Sequence, residues 1–100
     1  MEIREENLHN CMQYMRVDKE DAAVNEVRPL YKAAVLYLKN AGVSEPNSDP
    51  DLYNLAVWSL TLHYYDHRDS VGSESDIPNG LRPIINQLKI EAEIAHITAQ

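Results

Sequence analysis

The segment from Pro50 to His67 limits the fold of this chain more than any other part of the sequence. Apolar and aromatic residues recur at helical spacing on three sides of it. These sets are Leu55, Trp58, Leu62 and Tyr65; Tyr53, Val57, Leu60 and Tyr64; and Leu52, Ala56 and Ser59. A helix that is apolar on nearly every side has to be covered on nearly every side. We therefore predict a central helix in which Trp58 is largely buried, with a neighbouring subunit as one source of its cover.

The rest of the chain predicts three further helices, because its apolar residues recur at helical spacing between a few clusters of glycine and proline. A short helix is expected from Glu5 to Met15, a longer one from an N-cap at Asp18 to Asn40, and the last after Asn79-Gly80. The apolar stripe of the second helix is Val24, Val27, Tyr31, Ala34 and Leu38. The fold class is therefore all-α, a small bundle of three longer helices plus a short N-terminal helix, in a single domain over residues 1–100.

Two prolines give local predictions. Pro29 falls inside the second helix, where it removes one backbone hydrogen bond and crowds the preceding turn, so we expect a kink near Arg28 or a break into two helices. Pro50 follows two N-cap candidates, Ser48 and Asp49, and an N-cap followed by proline is typical of a helix start. The third helix should therefore begin at about Pro50.

The last predicted helix carries two apolar stripes that point in different directions. The first comprises Leu81, Ile84, Ile85 and Leu88, and the second comprises Ile90, Ile94 and Ile97. At about 100° per residue the second stripe is turned by roughly 160° from the first, so one straight helix cannot pack both against the same small core. We therefore predict that residues 90–100 form an assembly segment, with Ile90, Ile94 and Ile97 as its interface.

The charge balance argues against a protein that binds nucleic acid through its phosphates. Acidic residues outnumber basic ones by 16 to 9, for a formal net charge of -7, whereas phosphate binding needs a cationic patch. The nine cations are scattered singly along the chain: Arg4, Arg16, Lys19, Arg28, Lys32, Lys39, Arg68, Arg82 and Lys89. This pattern predicts neither a DNA groove nor binding to an anionic membrane surface.

Cysteine content and hydropathy predict a soluble protein of a reducing compartment. Cys11 is the only cysteine, so no internal disulfide can form. Residues 1–6 contain three glutamates and no apolar run, so we expect no signal peptide. No stretch reaches the roughly 18 uninterrupted apolar residues of a membrane span. We therefore expect no membrane association.

The sequence predicts no catalytic site, and we expect neither an enzyme nor a cofactor. His63 and His67 lie one helical turn apart, but Tyr64 stands where a metalloprotease helix needs glutamate and the sequence places no third ligand. We therefore predict no stoichiometric metal. Cys11 falls on an apolar helix face, where a thiol usually serves packing. The tyrosines and Trp58 are aromatics that cores and protein interfaces favour, and the cationic groove of a base-stacking protein is missing.

An ordered set of motifs runs along the chain. They are Met15-Arg16-Val17-Asp18 before a long helix, His63-Tyr64-Tyr65-Asp66-His67-Arg68 at the end of the apolar helix, a loop from Asp69 to Ile77, the turn Pro78-Asn79-Gly80, and an apolar helix from Leu81 to Leu88. With these motifs, most of the chain resembles the head-tail connector (head-completion adaptor, DNA-packaging protein) family of tailed bacteriophages. The residues that match the family signature are His63, Tyr64, Tyr65, Asp66, Arg68, Pro78 and Gly80. Pro29 and Asn79, where an aromatic residue is common, depart from the family pattern.

The resemblance implies a structural component of the virion that needs no cofactor. A member of this family would assemble as a ring, expected to be dodecameric, under the portal after DNA packaging and would join head to tail. Its partners would be other copies of itself, the portal protein and the next tail-proximal connector or stopper protein, with DNA passing through the ring without specific binding. Its location would be the virion neck, and the bacterial host cytoplasm before assembly.

Other classes of function remain open. The chief alternative is a small acidic protein-interaction or regulatory module of prophage or host origin, which would bind another protein through the same apolar faces. An acidic DNA mimic would need its carboxylates on one face, whereas the acids here are spread over all the helices and loops. A gene position beside portal, terminase and capsid genes would favour the connector. For the connector, the loop from Ser70 to Asn79 is predicted to be mobile in the free subunit and ordered on assembly.

Overall fold

Four α-helices, and no β-strand, make up the part of the chain that the structure describes. This computed structural model describes residues 5–18, 20–43, 49–67 and 79–99. The helices are α1 (Glu5–Met15), α2 (Asp21–Asn40), α3 (Pro50–Asp66) and α4 (Arg82–Ala99), and a 3-10 turn (Asn79–Leu81) precedes α4. The prediction of an all-α bundle with three longer helices and a short N-terminal helix is confirmed.

Helix α3 lies at the centre of the bundle, in contact with α1, α2 and α4. Its buried residues are Tyr53, Ala56, Val57, Leu60, Thr61 and Tyr64. By contrast, Leu55 is 36% exposed and Trp58 is only partly buried. The prediction of a central helix therefore agrees with the structure. The predicted burial of Trp58 is confirmed in part, because the ring packs against the core and its indole nitrogen is covered.

The face of α3 that enters the core carries two small residues among larger ones. Ala56 and Thr61 flank the buried tyrosines and leucine, and their small side chains let neighbouring helices approach the backbone closely. The Thr61 hydroxyl donates a hydrogen bond to the Val57 carbonyl oxygen at 2.7 Å. This polar group is therefore buried with its hydrogen bond satisfied. The larger Trp58 ring lies at the edge of the core instead.

The core draws side chains from every helix. Its buried hydrophobic residues are Leu8, Cys11, Met12, Met15, Val27, Tyr31, Ala34, Leu38, Val43, Tyr53, Ala56, Val57, Leu60, Tyr64, Leu81, Ile85 and Leu88. The predicted stripe of α2 is buried as expected, except that Val24 is only partly buried. The helical period of the sequence therefore places the inner face of α2 correctly.

Helix α2 ends in a Schellman motif, which needs one residue with a left-handed backbone. The Val43 N–H donates to the Leu38 carbonyl at 2.8 Å, and the Gly42 N–H donates to the Lys39 carbonyl at 3.1 Å. Gly42 has a φ of 93°, which glycine adopts at little cost. Val43 and Leu38 are both buried, so the motif also turns the chain into the core.

Helix α1 ends in the same way without a glycine. The Val17 N–H donates to the Met12 carbonyl at 3.0 Å, and the Arg16 N–H donates to the Gln13 carbonyl at 3.1 Å. Arg16 occupies the left-handed position with a φ of 61°. A side chain with a Cβ atom is strained in this conformation, so α1 carries a local conformational cost at its end.

The starts of α2 and α3 differ in how they are capped. At α3, the Asp49 carboxylate accepts hydrogen bonds from the N–H groups of Asp51 and Leu52 at 3.0 and 3.1 Å, ahead of Pro50. This confirms the predicted start of α3 and selects Asp49 as its N-cap. At α2, the N-cap is Glu20, whose side chain makes no capping hydrogen bond, so the predicted N-cap at Asp18 is wrong. The longer glutamate side chain is a poorer cap than aspartate, so α2 begins without a side-chain cap.

Pro29 does not break α2, which is one continuous helix from Asp21 to Asn40. Of the two predicted alternatives, the break into two helices is therefore wrong, and the kink near Arg28 stays a prediction. Proline removes only one backbone hydrogen bond, whereas Val27 and Tyr31 on either side of it are buried in the same core. Packing of the two flanking turns holds the helix together across this position.

The two stripes of α4 have different environments. Leu81, Ile85 and Leu88 are buried, whereas Ile90 is 50% exposed and Ile94 is 58% exposed. The first stripe therefore packs on the core as predicted. Ile97, Arg68, Pro78 and most of the predicted loop from Ser70 to Asn79 lie outside the described residues or side chains, and the predictions made for them stay predictions.

Candidate interaction surface

The residues that match the family signature lie at the C-terminal end of α3, where they divide between core and surface. Tyr64 is fully buried, His63 and Tyr65 are partly buried, and Asp66 is exposed. Gly80 is exposed in the 3-10 turn before α4. The structure therefore brings four of these residues together on one helical segment. Within that segment, Tyr64 serves packing and Asp66 faces solvent.

His63 and His67 form a stacked pair at the end of α3. Their ring centroids lie 4.7 Å apart with an interplanar angle of 27°. The His67 backbone N–H donates to the His63 carbonyl oxygen at 2.9 Å, and His67 Nδ1 lies 3.2 Å from the same oxygen. This arrangement satisfies a carbonyl that the end of the helix would otherwise leave open. Among the described residues, no group of three or more His, Cys, Asp or Glu side chains is placed to share a metal ion.

A second aromatic cluster joins α1 to α3. Tyr14 is 41% exposed, and its ring centroid lies 5.8 Å from that of Trp58 at an interplanar angle of 41°. The Tyr14 hydroxyl shares a hydrogen bond with the Ser59 hydroxyl at 3.2 Å. Trp58 Nε1 is covered and has no hydrogen-bond partner among the described residues. The edge of the core is therefore aromatic and partly polar, as in protein interfaces.

Cys11 is buried and chemically inert. Burial raises the pKa of its thiol to about 12, although the Thr61 hydroxyl beside it acts in the opposite direction. Its Sγ lies 3.7 Å from the Met15 sulfur. A thiol with this pKa holds almost no thiolate at neutral pH, so Cys11 cannot serve as a nucleophile there.

Glu5 and Arg28 connect α1 to α2 at the surface. The guanidinium of Arg28 donates to both carboxylate oxygens of Glu5, and this hydrogen bonding lowers the pKa of the Glu5 carboxyl. Two parallel hydrogen bonds fix the direction of the contact as well as its length. The pair therefore orients the short helix α1 on the bundle.

Large apolar residues are exposed on the outer faces of three helices. Ile90 and Ile94 lie on α4, Leu36 on α2 with 48% exposure, and Leu55 on α3. Leu55 also lines a shallow cleft between α3 and α4, together with Asp49, Asp51, Leu52, Gln87 and Glu91. Across this cleft the Asp49 N–H donates to the Glu91 carboxylate at 3.3 Å. These outer faces are the best candidates for contact with another molecule.

Sequence reasoning missed the outer face of α2. Leu36 does not belong to the apolar stripe of that helix, and Lys32 and Lys39 lie beside it at i-4 and i+3. All three side chains are exposed. The signal in the sequence is a leucine between two cations in a helical stretch without any acidic residue, in a chain with a formal charge of -7.

No protein-family model, curated protein or solved structure matches this chain. In the part of the chain that the structure describes, no helix has the length and hydropathy needed to cross a bilayer. The physical features of the surface are therefore the basis for a functional hypothesis, together with the sequence motifs.

Proposed function

We propose that this protein is a non-enzymatic assembly protein, a ring adaptor that binds under a bacteriophage portal and joins head to tail after DNA packaging. The observation that carries the proposal is the outer face of α4, where Ile90 and Ile94 are 50% and 58% exposed one helical turn apart. Because each isoleucine is already about half covered, burying the exposed part of both contributes roughly 1.5 to 3 kcal/mol before association costs, so this face favours binding to a protein partner. The motifs around His63 and Pro78 supply the resemblance to the connector family.

The charge of the chain suits a ring through which DNA passes. With a formal charge of -7, a subunit repels phosphates, and a channel lined by such subunits would let DNA slide without binding it. The inert Cys11 thiol also fits a structural role, because the single cysteine of the chain serves packing. In the virion, the partners would be further copies of the chain, the portal protein and the next tail-proximal protein.

Electron microscopy tests this proposal directly. The full chain is mixed with portal rings of the phage or prophage that encodes it, and the complexes are imaged. We expect an additional ring of density at one end of the portal. The double variant Ile90→Asp/Ile94→Asp should lose this ring, because it places two carboxylates on the exposed apolar face.

A matched control distinguishes the role of this face from a general effect of charge. Asn10→Asp/Gln13→Glu adds two carboxylates at exposed positions on α1, away from the α4 face. This control should keep the ring. Portals that remain bare with the wild-type chain contradict the proposal, and would favour the alternative of a small acidic regulatory module that binds another protein as a monomer or dimer.

A further inference from the structure

We propose that the outer face of α4 in one copy of this chain docks on the outer face of α2 in a second copy. The α4 face is defined by Ile90, Glu93 and Ile94, and the α2 face by Lys32, Leu36 and Lys39. The inference rests on the proposed function, because it names the contact by which subunits would join into a ring. The opposite charges of the two faces indicate that the partner is a second copy of the chain.

The α4 face is apolar and acidic. Of the large hydrophobic residues whose side chains the structure describes, Ile90 and Ile94 are the two most exposed, and Glu93 is exposed beside them. Glu93 carries the negative charge of this face, because Glu91 lies in the cleft with α3 and accepts a hydrogen bond from the Asp49 N–H. Glu93 forms no ion pair with any residue in the described part of the chain. A partner for this face therefore needs an apolar centre and positive charge.

The α2 face meets this requirement. Leu36 is 48% exposed, and the exposed ammonium groups of Lys32 and Lys39 lie on either side of it. Residues 32–39 include these two cations and no acidic residue. At 1.5 Å per residue the two lysines are about 10 Å apart along the helix axis, which is close to the length of two turns. Neither lysine forms an ion pair with the residues that the structure describes.

Charge distinguishes this contact from a symmetric one. If two α4 faces met, Glu93 of one copy would approach Glu93 of the other, and like charges across an interface oppose binding. When α4 meets α2, Glu93 faces lysine and the isoleucines lie on Leu36. The chain as a whole has a formal charge of -7, so copies repel one another unless such a pairing offsets the repulsion.

The two faces belong to different surfaces of the same molecule. Both are exposed in the single chain, so neither covers the other within it. A contact between unlike faces is heterologous, and each added subunit leaves one face of each kind free. Such a contact closes into a ring when its rotation is suitable. This is the geometry that a ring adaptor needs.

Two complementary variants test the contact. The first, Lys32→Glu/Leu36→Glu, disables the α2 face, and the second, Ile90→Asp/Ile94→Asp, disables the α4 face. Each variant keeps the other face intact. In sedimentation velocity, we expect the wild-type chain to form oligomers that grow with concentration and each variant alone to stay monomeric. An equimolar mixture should form a one-to-one dimer and nothing larger, because only one competent pair of faces remains.

Exchanging the charges of Lys39 and Glu93 gives a second test, which leaves the apolar residues of both faces unchanged. Lys39→Glu and Glu93→Lys should each weaken self-association roughly twofold to fivefold, the range for an exposed ion pair. The double variant carries both charges reversed and should recover wild-type association. Raising the salt concentration should weaken the association of the wild type and of the double variant alike, because each contact contains one exposed pair of opposite charges.

Each contrary outcome has a defined meaning. A Lys32→Glu/Leu36→Glu variant that assembles like wild type, or a mixture that forms no dimer, overturns the contact between α2 and α4. A wild-type chain that is still monomeric at about 1 mM also overturns it. If the same chain nevertheless forms a ring on portals, the proposed function stands and only this subunit contact is wrong. Circular dichroism of every variant establishes that the helical fold is intact.

Discussion

Single residues determine how α1 and α2 end, because each Schellman motif needs one residue with positive φ. Gly42 supplies it at α2 with a φ of 93°, and Arg16 supplies it at α1 with a φ of 61°. A Cβ atom on Gly42 would meet no other atom within 4 Å, so the cost of a side chain there is one of backbone conformation alone. The two helix ends therefore form a natural comparison between glycine and a strained residue.

We expect Gly42→Ala to lower the free energy of unfolding by about 1 kcal/mol, because alanine is strained at this φ. Arg16→Gly should raise the free energy of unfolding by about 0.5 kcal/mol, since relief of strain is partly offset by the greater entropy of glycine in the unfolded chain. Urea denaturation measures both changes. Gly80→Ala is the control, because Gly80 is exposed, has open space around it and does not have a positive φ. Its effect should be smaller than that of Gly42→Ala.

Cys11 gives a residue-scale prediction about pH. Its pKa is raised to about 12 in the folded protein, whereas a thiol in an unfolded chain ionises near pH 8.5. The folded state therefore keeps its proton at a pH where the unfolded state loses it. The stability that the neutral thiol contributes is fully present below about pH 8.5 and is lost as the pH rises toward 12.

The thiol should therefore resist Ellman's reagent in the native protein at pH 8 and react at once in denaturant. The free energy of unfolding should fall more steeply between pH 8.5 and 11 in the wild type than in Cys11→Ala, which has no thiol to ionise. Rapid reaction of the native thiol would contradict the burial of Cys11 in the core. Equal slopes for the two proteins would show that its pKa is not raised.

At the scale of elements, α3 is the helix whose buried face is hardest to predict from its sequence. Its length, its start at Asp49-Pro50 and its central position follow from apolar spacing and capping chemistry. Which of its apolar faces enters the core does not follow, because that depends on the size of side chains on neighbouring helices. The same limit explains Trp58, which lies on an apolar face but at the edge of the core.

The division of α3 into an inner and an outer face is testable with two leucines. Leu60 is fully buried and Leu55 is 36% exposed. Leu60→Ala should lower the free energy of unfolding by about 3 kcal/mol, because it removes apolar contact and leaves a cavity. Leu55→Ala should cost less than about 1 kcal/mol, because water already reaches this side chain. Thermal or urea unfolding of both variants checks the difference, and equal losses would mean that the faces are assigned wrongly.

The surface ion pair between Glu5 of α1 and Arg28 of α2 adds a pH-dependent contribution to stability, whose direction follows from the Glu5 pKa. The hydrogen bonds from Arg28 lower the pKa of the Glu5 carboxyl in the folded state. The stabilisation is therefore present above the unfolded pKa and is lost as the pH falls through the lower folded value. A carboxyl titration by NMR should find that the Glu5 pKa rises in Arg28→Gln. Asp51→Asn, which is remote in sequence from this pair, should leave the Glu5 titration unchanged.

At the scale of the whole molecule, inner faces and outer faces are predictable to different extents. The bundle architecture, the buried stripe of α2 and the turn between the two stripes of α4 follow from helical periodicity. The α2 face around Leu36 was missed because single exposed leucines are common on protein surfaces and do not by themselves indicate a binding site. It becomes informative only when its two lysines, the acidic charge of the chain and the exposed isoleucines of α4 are considered together.

Removal of the end of α4 separates folding from assembly in this molecule. Among the side chains of residues 80–94, which the structure describes, the buried ones are Leu81, Ile85 and Leu88, whereas Ile90 and Ile94 are exposed. A chain truncated after Lys89 should therefore remain a folded helical domain. Its melting temperature should fall by less than about 5 °C, chiefly through loss of the hydrogen bond between Glu91 and Asp49.

Circular dichroism measures the melting temperature of the truncated chain. Sedimentation velocity and portal imaging measure its assembly, which should be abolished. A truncated chain that does not fold would place residues 90–100 in the core, and one that still forms rings would exclude them from the subunit contact.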